Sequence, residues 1–338
     1  MKIAVLGTGA IGSCIGADLT ASGYDVQLID QWPEHVDAMK KNGIKILSAG
    51  TEKSVPVKAA HLCEVSGLNH KYDIVMLCSK SYDSRWLAEF INPHLKPKGY
   101  IVSFQNSMNN EWLIPVIGYQ KNMGAVIELS AEMFVPGEVK RNTNNSGTWF
   151  GLGELHGKQT PRIKKLGSIM ENVGKVDFTA NIWGAKWTKL IANSMMQAVS
   201  ALLGLPDYEA VNKPIVNDVC IKAGREAASV GIAQGYQIEA IYGLSAEEFT
   251  GSTDQKLKKN LNTLAAHIGP KSINSMLQDH LKGRRSEIDY LNGLVVKKGR
   301  EIGIETPVNQ KLVKLTNLIY KGEIVPSPGN ISLLEKLI

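Results

Sequence analysis

The segment Gly7-Thr8-Gly9-Ala10-Ile11-Gly12 constrains this chain more than any other. It directly follows a β-rich run, Lys2 to Leu6, and opens a helical stretch that ends near Gly23, so the setting of a GxGxxG loop is present as well as its spelling. Gly7 permits a tight turn, Gly9 lets backbone approach a pyrophosphate, and Gly12 lets helix and strand pack closely while the helix N-terminus faces the phosphate charge. A second run, Asp25 to Ile29, is followed by Asp30, a carboxylate placed to accept hydrogen bonds from an adenosine ribose. Strand, loop, helix, second strand and acid together predict dinucleotide binding through Gly7, Thr8, Gly9, Ala10, Ile11, Gly12 and Asp30. The plainer readings are a glycine-rich turn of some other α/β chain and a turn aspartate ahead of Gln31, Trp32 and Pro33.

The loop belongs to a longer alternation. Asp73 to Cys78, Tyr100 to Phe104 and Met123 to Leu129 read as further strands with helices between most of them, the pattern of a parallel sheet covered on both faces. Ile44 to Ser48 and Val55 to Ala60 read as a small strand pair, and the Gly- and Asn-rich stretch from Val135 to Leu152 as looser β structure. From Asn181 the pattern turns helical. Pro214 can begin a helix that Gly235 ends, Ser245 with Glu248 spells a capping box, and Thr306 before Pro307 marks another start after a stop at Gly303. The fold class is therefore α/β, an N-terminal Rossmann-like doubly wound sheet over residues 1–180 with a C-terminal all-helical domain over residues 181–338. Two domains also suit 338 residues, more than one core usually supports.

Composition narrows the partners. Hydrophobic residues at 43% and charged residues at 21% describe a folded globular chain rather than a disordered one. The 38 basic and 32 acidic residues give +6, but they interleave, and the nearest basic run is Lys282, Arg284 and Arg285; no nucleic-acid partner is expected. Cys14, Cys63, Cys78 and Cys220 have no metal-ligand pairing, so no metal is expected and a reducing, cytoplasmic setting fits. With no charged leader and no apolar run of about eighteen residues, neither secretion nor a membrane partner is expected.

Two clusters carry candidate chemistry. Trp183, Trp187, Lys189 and Asn193 lie in the helical stretch Asn181 to Leu203; Lys189 and Asn193 are four apart, and Gln197 extends their face by a turn. A cation and two amides in a row can bind a carboxylate and a carbonyl, although the same spacing serves a surface stripe. The second cluster runs from Ser275 to Asp279 and from Gly283 to Gly293, where Ser286 reads as an N-cap and Glu287 as a first-turn acid favoured by the helix dipole.

The glycine loop, Cys78-Ser79-Lys80, Gln105-Asn106-Ser107-Met108, Trp187-Thr188-Lys189-Leu190 with Asn193, and the Ser275 to Gly293 block, taken in order, resemble the ketopantoate reductases over nearly the whole chain. That resemblance implies a nicotinamide-dependent reduction of a small 2-oxo acid, ketopantoate to pantoate foremost. Lys189 would be the general acid and Glu287 a catalytic partner that binds a substrate hydroxyl or orients Lys189. Asn193, Gln197, Ser275 and Asn106 would bind substrate, with Asn106 also reaching cofactor, and Lys80 would lie near the adenosine end. Three positions depart from the family pattern: Gln31 stands at the phosphate-binding arginine position, Gln197 at an asparagine and Ser107 at a glycine. Asp30 beside Gln31 favours NAD(H) over NADP(H), since a 2'-phosphate would meet like charge. The changed amide and the added side chain leave open a different 2-oxo or 2-hydroxy acid, and a non-catalytic dinucleotide sensor remains the alternative of another class. The expected partner is the small 2-oxo acid; the sequence leaves a homodimer open.

Overall fold

The strand Lys2–Leu6 (β1) sends Ile3 and Val5 into one hydrophobic core and Ala4 and Leu6 into another, as its two-residue pleat requires of a strand covered on both faces. The computed structural model describes residues 1–48, 50–241, 261, 263 and 271–335, which fall into two compact units, Met1–Ile182 and Trp183–Ile338.

In the first unit the chain continues through α1 (Ala10–Ala21), β2 (Asp25–Asp30), α2 (Pro33–Asn42), β3 (Ile44–Ser48), β4 (Thr51–Val55), β5 (Lys58–His61) and α3 (Leu62–Val65). After these come β6 (Tyr72–Leu77), α4 (Ser84–Ile91), β7 (Leu95–Ser103), α5 (Asn109–Ile117) and β8 (Asn122–Glu128). The unit closes with β9 (Ala131–Val135), β10 (Glu138–Arg141), β11 (Trp149–Glu154), α6 (Pro161–Met170) and β12 (Lys175–Phe178). Eight strands form one sheet in the order β12-β11-β8-β7-β6-β1-β2-β5, parallel except where β11 runs against β8. The chain leaves β1 first toward β2 and β5, then returns to build β6, β7 and β8 on the other side. This reversal puts the ends of β1, β2 and β6 side by side, the place where open α/β sheets bind ligands. Residues of α1, α2 and α6 pack on one face, and those of α4 and α5 on the other.

Two strand expectations need correction. Of Val55 to Ala60 only Val55 pairs with Ile44 to Ser48, as the last residue of β4; the rest of the run goes on to β5, which joins the main sheet beside β2. Pro56 has no N–H to donate, so it divides what reads as one run into two strands of different sheets. The stretch from Val135 to Leu152 also splits. Its β10 joins β4, β3 and β9 in a four-stranded sheet, whereas β11 is a regular, buried strand of the main sheet. The strands β6, β7 and β8 each end one residue short of the expected run, at Leu77, Ser103 and Glu128.

The second unit is helical: α7 (Ile182–Leu203, beginning at the last residue of the first unit), α8 (Asp207–Ala210), α9 (Pro214–Ala233), α10 (Ser275–Leu281), α11 (Asn292–Glu301), α12 (Pro307–Tyr320) and α13 (Ile331–Glu335). Trp187 anchors α7 to α9: the indole is fully buried, donates from Nε1 to the Ala227 carbonyl (3.0 Å) and stacks on Tyr236 at 4.6 Å. Pro214 begins α9 and Gly235 follows its end at φ +85°. Thr306 holds the N-cap position of α12, but its hydroxyl does not cap. The Glu226 carboxylate of α9 does so instead, accepting from the Val308 and Asn309 N–H groups at 2.9 Å each. The capping box at Ser245 and Glu248 lies outside the described residues.

Candidate active site

The glycine loop is held around Thr8, which is fully buried. Asp30 Oδ2 accepts from the Thr8 N–H (2.5 Å) and hydroxyl (3.2 Å), while Oδ1 accepts from the Trp32 N–H (2.9 Å). The Thr8 carbonyl accepts from the Ser13 hydroxyl (2.6 Å) and from His35 Nε2 (2.8 Å). Because the Gly137 N–H donates to His35 Nδ1 (2.9 Å), the ring proton sits on Nε2; burial lowers the His35 pKa and favours this neutral form. Sequence reasoning missed His35 because its partners are backbone groups distant in sequence. Asp30 thus shapes the loop directly, in addition to whatever its remaining lone pairs can offer a ribose.

The three glycines do different things. Gly7 turns at φ +88°, and a Cβ there would lie 2.6 Å from Ser79 backbone atoms. A Cβ on Gly12 would lie 2.2 Å from the Gly7 carbonyl oxygen, whereas one on Gly9 would meet nothing within 4 Å. Gly9 is also the N-cap of α1 and offers no side chain to its first N–H groups. An open backbone approach at an uncapped helix start suits the pyrophosphate of a dinucleotide.

Neighbouring loops carry Lys80 and Asn106. Lys80 follows β6 and precedes a short 3-10 turn, Ser81–Asp83. Gln105 ties the loop after β7 to this segment by donating to the Ser79 carbonyl (2.9 Å) and the Ser84 hydroxyl (2.7 Å). Asn109 completes the tie through the Ser81 hydroxyl (3.0 Å) and the Asn106 carbonyl (2.5 Å). Ser107 is buried at φ +70°, the only non-glycine positive φ among the described residues. A side chain in that conformation costs roughly 1–2 kcal/mol, which is a physical reason for the glycine that the resemblance implies there. Gln31, exposed, donates to Asp83 Oδ2 (3.3 Å), and Asp83 also accepts from Trp86 Nε1 (2.8 Å). Asp83 is a second acid beside Gln31 that sequence reading overlooked.

In the second unit three of the candidate side chains meet. Gln197 Nε2 donates to Asn193 Oδ1 (3.1 Å), and the Ser275 hydroxyl donates to Gln197 Oε1 (3.1 Å). Gln197 therefore spans α7 and α10, and its length is what bridges them. Lys189, one turn before Asn193, is half-buried. Glu287 is buried, but it is not a first-turn residue behind a Ser286 cap. It occupies the N-cap of a 3-10 turn, Ile288–Tyr290, and α11 begins only at Asn292, because Leu291 (φ −103°, ψ −97°) breaks the continuity. The α-helix dipole expected to favour its charge is accordingly replaced by a single short turn.

Lys186 shares this helical stripe, three residues before Lys189, and was not anticipated. It is 2% exposed, and burial pulls its ammonium down to about 7. Between pH 7 and the unfolded lysine value near 10.5 the unfolded chain binds the extra proton, so stability rises with pH across that window; below it both states are protonated and the burial cost is constant. The stability of Lys186→Met relative to the parent should consequently decline as pH rises from 7 to 9.5 in urea titrations. A difference that stays flat over this range would show that Lys186 keeps an ordinary pKa.

A Rossmann-like glycine loop followed by a helical unit bearing a lysine, two amides and a serine is a build found among oxidoreductases. Residues 3–154 match the family described as ketopantoate reductase PanE/ApbA, and residues 181–320 match its C-terminal domain. The chain belongs to the ketopantoate reductase family. It is 30% identical to a 2-dehydropantoate 2-reductase of Pyrococcus abyssi over 311 residues, 91% of this chain and 94% of that one. A PanE/ApbA family ketopantoate reductase from Ralstonia eutropha JMP134 superimposes with a TM-score of 0.80 at 29% identity, covering 96% of this chain and 99% of that one. D-mandelate dehydrogenase, solved with NADH and anilino(oxo)acetate, shares the fold with a TM-score of 0.85 at 23% identity over 96% of this chain and 100% of that one. No helix among the described residues is long and apolar enough to cross a membrane.

Proposed function

We propose that this chain reduces a short 2-oxo acid, ketopantoate foremost, with a nicotinamide dinucleotide as reductant. The observation that carries the reading is the joined set Asn193, Gln197 and Ser275 beside Lys189, polar groups of two helices held together by their own hydrogen bonds. Bound nicotinamide supplies the hydride. Lys189 meets the negative charge that grows on the carbonyl oxygen and delivers the proton there, the contribution that general acid catalysis requires. Asn193 and Ser275 bind the acid, Gln197 fixes their spacing, and Glu287 takes a substrate hydroxyl or orients Lys189. Asn106 reaches substrate or cofactor from its loop, and Lys80 serves the adenosine end. Gln197 and Ser107 favour the second reading, a different short 2-oxo acid, because polar changes in a pocket discriminate strongly.

Crossing NADH and NADPH with a panel of short 2-oxo acids tests this. Turnover of ketopantoate or a close relative is expected. Tight dinucleotide binding with no oxidation of either cofactor across the panel would reject the reading in favour of a sensor.

NADH should be the better cofactor. Asp30 and Asp83 both lie next to Gln31, so a 2'-phosphate there meets carboxylates, with glutamine at the position where the resemblance implies an arginine. Gln31→Arg should shift kcat/KM toward NADPH by about tenfold, roughly 1.4 kcal/mol. Asp30 is left in place in that variant because its loss would release Thr8. A parent enzyme that prefers NADPH tenfold would overturn the electrostatic argument.

A further inference from the structure

Asp207 is a buried carboxyl, 2% exposed, to which the proposed reaction gives no part. It stands at the start of α8, just past the end of α7, where Gly204 turns at φ +67° and the Leu205 N–H returns to the Ser200 carbonyl (3.2 Å). This reversal carries Asp207 back alongside α7. Its Oδ1 accepts from Asn274 Nδ2 at 2.6 Å. Its Oδ2 meets no donor at hydrogen-bonding geometry among the described residues, although the Ser200 hydroxyl is near. Burial raises its pKa, against the Asn274 and Ser200 dipoles.

Asn274 connects this carboxyl to the site. Its Oδ1 accepts from the N–H groups of Met276 (3.1 Å) and Leu277 (3.0 Å), capping α10, and its Nδ2 also reaches the Gln197 carbonyl (3.4 Å). The amide has one workable orientation: two backbone donors require its oxygen, and the carboxyl requires its nitrogen. Ser275 lies between Asn274 and these capped residues and is the first residue of α10. A capping asparagine rarely needs a buried acid behind it, because the cap is complete without one and a buried carboxyl is costly. What the acid adds is a fixed position for the cap relative to α7.

We propose that Asp207 is a positioning residue for Ser275, acting through the Asn274 amide to set the first turn of α10 against the helix that carries Lys189, Asn193 and Gln197. The inference rests on the reading above in taking Ser275 as a substrate ligand. Asp207→Ala should raise KM for the 2-oxo acid about tenfold, change kcat less, and leave KM for NADH unaltered. Asp207→Asn, whose amide oxygen still accepts from Asn274, should stay within about threefold of the parent. In a Ser275→Ala background Asp207→Ala should add almost nothing, since the group it positions is gone.

Hydrogen exchange gives a readout independent of substrate. The Met276 and Leu277 amides should exchange at least tenfold faster in Asp207→Ala and recover in Asp207→Asn. Asn274→Ala should give the same KM-centred loss and faster exchange, and it replaces Asp207→Ala if that variant does not fold. Additive effects of Asp207→Ala and Ser275→Ala, or unchanged exchange at Met276 and Leu277, would overturn the proposal. If the parent turns over no 2-oxo acid, the functional reading fails and the exchange rates alone decide the link from Asp207 to α10.

Discussion

Lys189→Ala is expected to lower kcat by about a hundredfold or more while leaving NADH affinity within about twofold of the parent. Charge on the carbonyl oxygen is small in the bound ketone and large when hydride has partly transferred. An ammonium aimed at that oxygen is therefore worth more in the transition state than in the ground state, and its loss appears in kcat more than in KM. Lys189→Arg should not restore the rate, since guanidinium keeps the charge but yields its proton poorly. Lys189 is itself half-buried, and its loss leaves in place the fully buried Trp187 that anchors the helix, so the alanine variant should fold. Single-turnover measurement of NADH oxidation separates the chemical step from product release. A folded Lys189→Ala protein with near-normal kcat would return the stripe to an ordinary helix surface.

The sequence was most informative where local chemistry decides the outcome. Gly7, Gly9 and Gly12 are legible because each answers a short-range demand of turn, approach or packing, and the α7 stripe is legible because Lys189, Asn193 and Gln197 recur at helical spacing. The errors fall where partners are distant. Nothing within Ile44 to Ala60 says that its last strand joins β2 instead of β3; Pro56 was the available signal. The first-turn rule places Glu287 wrongly because it assumes one continuous helix, whereas the chain breaks at Leu291, beside an Asn292 whose amide donates to the distant Ser194 carbonyl (2.9 Å) and Asn309 Oδ1 (2.8 Å). Thr306 was located correctly, yet the capping comes from Glu226, 82 residues earlier than Val308. His35, Asp83 and Asp207 escaped notice for the same reason, since their roles are defined by folded neighbours. The helical face and the family resemblance together make Gln197 a candidate substrate ligand; its two hydrogen bonds add a bridging role that spacing cannot supply.

Gly9→Ala and Gly12→Ala should separate binding from folding within one loop. A methyl at Gly12 would be driven against the Gly7 carbonyl oxygen at 2.2 Å and the Cys78 Cβ at 3.2 Å, where backbone rather than a flexible side chain would have to move. That overpacking should cost roughly 1–3 kcal/mol, with the thermal midpoint falling by several degrees. At Gly9 the methyl enters open space, and φ of −60° suits any residue, so the midpoint should stay within about two degrees of the parent. On the proposed reading the same space is where a pyrophosphate approaches the uncapped start of α1. Gly9→Ala should accordingly weaken NADH at least tenfold by calorimetric titration, about 1.4 kcal/mol, while remaining as stable as the parent without ligand. Wild-type affinity in Gly9→Ala would mean that the phosphates do not cross the loop there, and the dinucleotide would have to be placed elsewhere on the sheet.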